Sequence, residues 1–188
     1  MDYWKNRILV LVIFCTFFST NILFAQDKYI DKKGQITFEA SEKAFEEVKA
    51  VNKSTTVILD TETGKIASVA LVKEFRFKNA LMEEHFNENY VDSDTYPKAK
   101  FSGDIINFNL EELSEVRKDF NLKGSLEFHG KVKEVNSTTS ISMNDNVISL
   151  TGSFVVTPQD FEIDIPSIVR NKITKEVNVS FDFQLKKK

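Results

Sequence analysis

Residues 177–185, VNVSFDFQL, alternate without a break. Val177, Val179, Phe181, Phe183 and Leu185 fall on one side, and Asn178, Ser180, Asp182 and Gln184 on the other. A period of two places the apolar set on one face of an extended chain and the polar set on the opposite face. That is the pattern of an antiparallel strand with one side against a core and one toward water. The same pattern recurs upstream. Phe120, Leu122, Gly124, Leu126, Phe128, Gly130 and Val132 alternate with polar residues, which predicts a long strand with room for a turn near Gly130. Ala99, Phe101, Gly103 and Ile105 share one face of a strand spanning Lys98 to Phe108.

Further strands are expected over Gln35–Ser41, Thr55–Leu59 and Lys65–Lys78, the last two joined by the turn Asp60–Gly64. In Lys65–Lys78 the inward set reads as Val69, Leu71, Phe75 and Phe77, with Lys73 as an exception. Asn144-Asp145-Asn146 is a turn leading into a strand from Val147 to Thr157. Glu42–Val51 reads as a brief helix, and Asn109–Lys118 as a charged helical turn or excursion. Many long strands of period two predict a mainly all-β chain, an antiparallel sheet curled around an apolar interior as a barrel. Closing such a sheet removes its exposed edges.

One segment departs from the strand pattern. In Ala80–Asp104, ALMEEHFNENYVDSDTYPKAKFSGD, Leu81, Met82, Phe86 and Tyr90 recur at helical spacing. Asn79 is placed to cap the helix, and Glu83 and Glu84 complement its dipole. His85 and Asn89 lie on or beside the apolar stripe, whereas Glu83, Glu84, Asn87 and Glu88 point away. Such a helix suits a lid over a barrel mouth, or an ordinary packed helix.

Three landmarks make the chain resemble the YceI-like polyisoprenoid-binding family. They are LMEEHFNENY followed by YPKAKFSGDI, then GSLEFHGKVKEV (Gly124–Val135), then VTPQDFEIDIP within Phe154–Pro166. The resemblance implies an extended, lipocalin-like barrel with a short helix covering one end. It also implies binding of an octaprenyl- or quinone-like lipid in an exported compartment. Carried onto this chain, the apolar lining would comprise Phe75, Phe77, Leu81, Met82, Phe86, Phe101, Leu126, Phe128, Phe181 and Phe183. His85 and Asn89 would be polar groups at the mouth. The charged Asn109–Lys118 excursion departs from longer members and would reshape the cavity.

The N-terminus carries Lys5 and Arg7, an apolar run from Ile8 to Phe18, and Ala25 as a small residue for cleavage. An apolar run of about ten residues is half of what a spanning helix needs, so residues 1–25 are expected to be a secretory signal peptide. Phe14 before Cys15 fits lipid attachment poorly. Residues 26–188 then form one domain, periplasmic or extracellular, with 23 basic against 27 acidic residues and no cysteine. This mild acidity gives no basis for nucleic-acid binding. Thirteen of the 17 Phe remain in that domain, and rings without a polar handle suit a dry interior.

No Gly-x-Ser-x-Gly, Gly-x-Gly-x-x-Gly or phosphate loop is present. His85 and His129 are the only histidines. His85 with Glu88 matches no standard zinc spacing, and nothing singles out a carboxylate for acid–base work. No enzyme, metal or cofactor is therefore expected, apart from a polyisoprenoid lipid as ligand. Transient membrane contact and a homodimer stay open. The competing reading is a filled barrel acting as a stress-response or protein-interaction module.

Overall fold

The computed structural model describes residues 28–41, 47–167 and 173–188. The signal-peptide and cleavage-site expectations, with Cys15 and Ala25, lie outside the described residues. So does most of the helix expected after Ser41, but its end is overturned: Lys49–Val51 belong to a strand.

Nine strands occur among the described residues. They are β1 (Lys28–Ser41), β2 (Lys49–Asp60), β3 (Lys65–Leu71), β4 (Arg76–Phe77), β5 (Lys98–Ile105), β6 (Lys118–Phe128), β7 (Lys131–Asn144), β8 (Val147–Val156) and β9 (Ile173–Lys187). All pair antiparallel in the order β1-β9-β8-β7-β6-β5-β3-β2-β4, and β1 also pairs with β2. The β1–β2 ladder closes eight strands into a barrel, and β4 is a two-residue addition beside β2. The expected all-β, lipocalin-like barrel with one short helix over an end is the observed fold.

The hairpins explain where alternation changes hands. β6 and β7 are joined by His129 and Gly130 alone, with φ of 49° and 70°, and β7 and β8 by Asp145 and Asn146, at 48° and 61°. Two successive left-handed residues match the twist of the flanking strands. The turn allowed for near Gly130 is this hairpin, and it corrects the inward place expected for Val132. Val132 sits on β7 and is 66% exposed, because the hairpin resets the parity.

A second correction concerns β3. It stops at Leu71, and Val72–Glu74 form a 3₁₀ turn before β4. The Val72 N–H leaves the ladder to donate to the Pro97 carbonyl at 3.0 Å. As a result Ile66, Ser68, Ala70 and Val72 face inward, whereas Val69 and Leu71 are 38% and 46% exposed. After the turn Phe75 and Phe77 face the interior, so the expected face was right beyond Lys73 and wrong before it.

The barrel is unevenly filled. At the end bearing the Asp60–Gly64 and Asp145–Asn146 turns, Val57, Leu59, Ile141, Ile148, Leu150 and Leu185 are fully buried against one another. Phe108, Leu110 and Leu113 of the connection between β5 and β6 pack on the same cluster. The Asn109–Lys118 excursion is therefore a 3₁₀ turn, Leu110–Glu112, that helps close this end, and Lys118 already belongs to β6. Asp60 ties its turn by accepting from the N–H groups of Glu62 and Thr63, each at 3.1 Å.

Candidate ligand-binding site

Above the plugged end the interior is hollow. A cavity of about 570 Å³ rises from Ile66, Leu122, Leu150 and Phe183 toward the helix at the other end. Its size falls within the range of small-molecule sites, about 300–1,000 Å³.

The helical cover, α1 (Ala80–His85), starts where Asn79 Oδ1 accepts from the N–H groups of Leu81 and Met82. This is the expected cap. Beyond His85 the helix widens, so that the Val91 N–H reaches back five residues to the Phe86 carbonyl. Glu83 is not a free surface group. Its carboxylate accepts from the Phe77 N–H at 3.0 Å and from Arg76 Nη1 at 2.9 Å, fastening α1 to β4. On the opposite side Phe86 enters a cluster with Phe38, Phe75 and Phe77, with ring centroids 5.1–6.2 Å apart in tilted or edge-on contacts. Pairs of this kind contribute roughly 0.5–1.5 kcal/mol beyond the area they bury. The cover is thus held by one ion-paired carboxylate outside and four rings inside.

The wall opposite is set by a second device. Gly103 on β5 faces Gly124 on β6. A Cβ on Gly124 would lie 2.4 Å from the Ser102 carbonyl oxygen, 2.7 Å from Gly103 Cα and 2.6 Å from Phe101 Cζ. The tip of the Phe101 ring reaches over this bare backbone. Phe181 rests over Gly152 in the same manner, and Phe183 over Gly34. Rings that would otherwise fill the barrel are thereby laid against its wall, and the space above them stays open.

The rim opposite α1 is built from Thr157–Ile165. Thr157 and Asp160 form a capping box: the Thr157 hydroxyl accepts from the Asp160 N–H, and the Asp160 carboxylate accepts from the Thr157 N–H at 2.8 Å. Lys133 Nζ donates to the same carboxylate at 2.6 Å. Chiefly that bond, with the Thr157 N–H, holds the Asp160 carboxyl below the usual range against a smaller opposing effect of burial. The turn delivers Phe161, buried, edge-on to Phe128 at 5.4 Å. The Phe161 carbonyl accepts from His129 Nδ1 at 2.8 Å, so that nitrogen carries the proton. The other side of the His129 ring meets Tyr96 edge-on at 4.6 Å. His129 is thereby a hydrogen-bonded strut of the rim.

All ten apolar residues singled out from sequence, Phe75, Phe77, Leu81, Met82, Phe86, Phe101, Leu126, Phe128, Phe181 and Phe183, line this cavity. His85 does so at the mouth, exposed. Asn89 does not. It is exposed outside the lining, because the widened turn after His85 rotates it off the stripe; Asn79 and Tyr90 line the mouth instead. Sequence reasoning missed Ile36 and Phe38 of β1, Phe154 of β8, Phe161, Val177 and Val179, all of which line the cavity. The alternation of β1, β8 and β9 could have found five of them. Ser68 was missed because the parity of β3 was inverted. Among the described residues, no group of three His, Cys, Asp or Glu side chains converges to hold a metal ion.

A closed antiparallel barrel, plugged at one end and hollow beneath a short helix at the other, defines a lipocalin-like architecture with one apolar chamber. The chain belongs to the YceI-like family, whose domain it matches over residues 28–185. Among solved structures it is similar to a polyisoprenoid-binding domain from Saccharophagus degradans implicated in plant cell wall breakdown. That comparison has a TM-score of 0.74 at 13% identity, over 87% of this chain and 99% of that one. It is also similar to BcnA of Burkholderia cenocepacia, with a TM-score of 0.67 at 18% identity over 83% and 98% of the two chains. The YCEI protein of Campylobacter jejuni aligns with a TM-score of 0.52 at 13% identity, over 70% and 80%. A sequence search of curated proteins returned no match.

Proposed function

We propose that this protein is an exported lipid-binding barrel that holds or carries a polyisoprenoid or isoprenoid-quinone-like amphiphile, by binding rather than by turnover. The observation that carries the reading is the chamber itself: about 570 Å³ of space walled mainly by Phe, Leu, Ile and Val. A long apolar tail offers a protein little except surface to remove from water. At about 25 cal/mol per Å², burying roughly 400 Å² gains on the order of 10 kcal/mol before ordering costs. The plugged end makes the chamber a blind sleeve, so tail and headgroup enter and leave past α1. The family and the polyisoprenoid-binding neighbour support the same class of ligand. The signal-peptide pattern of residues 1–25 supports export.

The test is native mass spectrometry of protein purified without detergent, followed by organic extraction. A bound polyprenyl species is the expected result. A clean apo mass, with no uptake from offered polyprenyl lipids, would return the protein to the interaction-module reading. Replacing Phe101 and Phe128 together by Asn should abolish lipid co-purification. Unchanged lipid content in that folded double variant would refute the assignment of the lining.

A further inference from the structure

Four hydroxyl side chains are buried on the barrel strands among the described residues: Thr55, Ser68, Ser137 and Thr139. Three are satisfied within the protein. Thr55 Oγ1 donates to Asn52 Oδ1 at 3.2 Å, Ser137 Oγ to the Ser153 carbonyl at 2.7 Å, and Thr139 Oγ1 to the Thr151 carbonyl at 3.1 Å. Ser68 makes no side-chain hydrogen bond to any described residue, although it is only 8% exposed. Its surroundings explain why. Its ladder partners are Val57 on β2 and Phe101 on β5, and its inward neighbours along β3 are Ile66 and Ala70. None offers a polar side chain.

What Ser68 does face is the cavity, which it lines. Two residues along β3 separate it from Ile66 at the floor, a rise of roughly 7 Å. The hydroxyl has no partner in the wall and what surface it keeps opens on the cavity, so covering it with hydrocarbon is unfavourable relative to the alanine that would fill the same place. Its presence in an apolar wall points to a partner that comes from the cavity.

We infer that Ser68 is a polar contact near the blind end of the chamber, selecting amphiphiles whose inserted end carries a hydroxyl or carbonyl oxygen. The inference rests on the lipid-binding reading and adds to it which end of the ligand, and which chemistry, goes in. A serine hydroxyl both donates and accepts, so alcohols and carbonyl compounds fit. A pure hydrocarbon end leaves the hydroxyl unsatisfied and is selected against.

Farnesol and farnesene, isoprenoids that differ in a terminal hydroxyl, separate the possibilities. Each displaces an apolar fluorescent dye from the full mature protein and from a Ser68→Ala variant, whose melting temperature checks its fold. Wild-type protein should bind farnesol more tightly than farnesene. In Ser68→Ala farnesol should weaken by about five- to tenfold, the worth of one neutral hydrogen bond, while farnesene holds or tightens. A preference for farnesol that survives in Ser68→Ala places the hydroxyl at the mouth, near His85, and overturns the inference while leaving the lipid-binding reading intact. Equal binding of both compounds by wild-type protein overturns it as well. If neither compound displaces the dye from wild-type protein, the lipid-binding reading falls and the inference with it.

Discussion

Gly124→Ala is the smallest change that tests how the chamber is kept open. The new methyl carbon would stand 2.4 Å from the Ser102 carbonyl oxygen and 2.7 Å from Gly103 Cα, both backbone atoms of β5. Ordinary contacts need about 3.5 Å, so β5 and β6 must part by roughly 1 Å at the Gly103–Gly124 pair. Overpacking a methyl into a tight site costs about 1–3 kcal/mol. Loss of glycine freedom in the unfolded chain returns about 0.4–1 kcal/mol. With backbone on the receiving side, a net loss of about 2 kcal/mol is expected, which lowers the melting temperature by about 4–8 °C for a domain of this size. The Phe101 ring, 2.6 Å from the same methyl, must lift off the wall into the cavity, so lipid uptake should fall as well. Thermal melts followed by circular dichroism measure the first effect, and extraction of bound lipid the second. Adding Phe101→Leu should not restore stability, because two of the three contacts are backbone. A melting temperature within about 1 °C of wild type for Gly124→Ala, or full recovery in the double variant, would sink the argument.

The Asp160 carboxyl has its folded-state pKa depressed, first by Lys133 and then by the Thr157 N–H. Its contribution is therefore complete above the unfolded value near 3.9 and is lost as pH falls through the lower folded value. Asp160→Asn should lose about 1 kcal/mol of capping and ion-pair stabilisation at neutral pH. Its melting curve should approach that of wild type only below about pH 4; a gap that widens on acidification contradicts this. Asn79→Ala removes the acceptor for the Leu81 and Met82 N–H groups and should weaken α1 by about 1 kcal/mol. Hydrogen exchange over residues 80–90 should accelerate about fivefold, and unchanged protection there would show that the four-ring cluster alone holds the cover.

How far the sequence could be read depended on whether its alternation ran unbroken. β5, and β9 from Val177 on, are regular, so Phe181, Phe183 and Phe101 could be assigned to the interior, where they lie. Asn79 was legible because a cap is a local matter, settled within three residues. Parity failed where the backbone stepped out of a strand while the apolar pattern ran on. Val72–Glu74 make such a step, and their cause, the bond from the Val72 N–H to the Pro97 carbonyl, joins residues 25 apart. Lys73 on an otherwise apolar face was the trace it left. At His129–Gly130 the apolar pattern runs on through the hairpin and hides the reversal, so Val132 was placed inside. Asn89 was misplaced by a single wide turn of helix. The hollow itself could not be read at all: the same Phe-rich strands would fill a barrel if Gly34, Gly103, Gly124 and Gly152 did not let the rings lie down.

The pairing of β1 with the last strand, β9, has a bearing on how the chain is made. β1 pairs on one side with β2 and on the other with β9, and the Lys188 N–H bonds the Lys28 carbonyl at 2.9 Å. During synthesis β1 emerges first and finds β2 at once, but its other edge has no partner until every intervening strand and β9 itself have left the ribosome. Through that interval the nascent chain carries a long open edge of the kind that invites pairing with other chains. The closing contact spans the whole domain and is entropically the slowest to find. The protein can therefore finish folding only after its ninth strand is made, and up to that moment it is a chain that a holding chaperone can still grip.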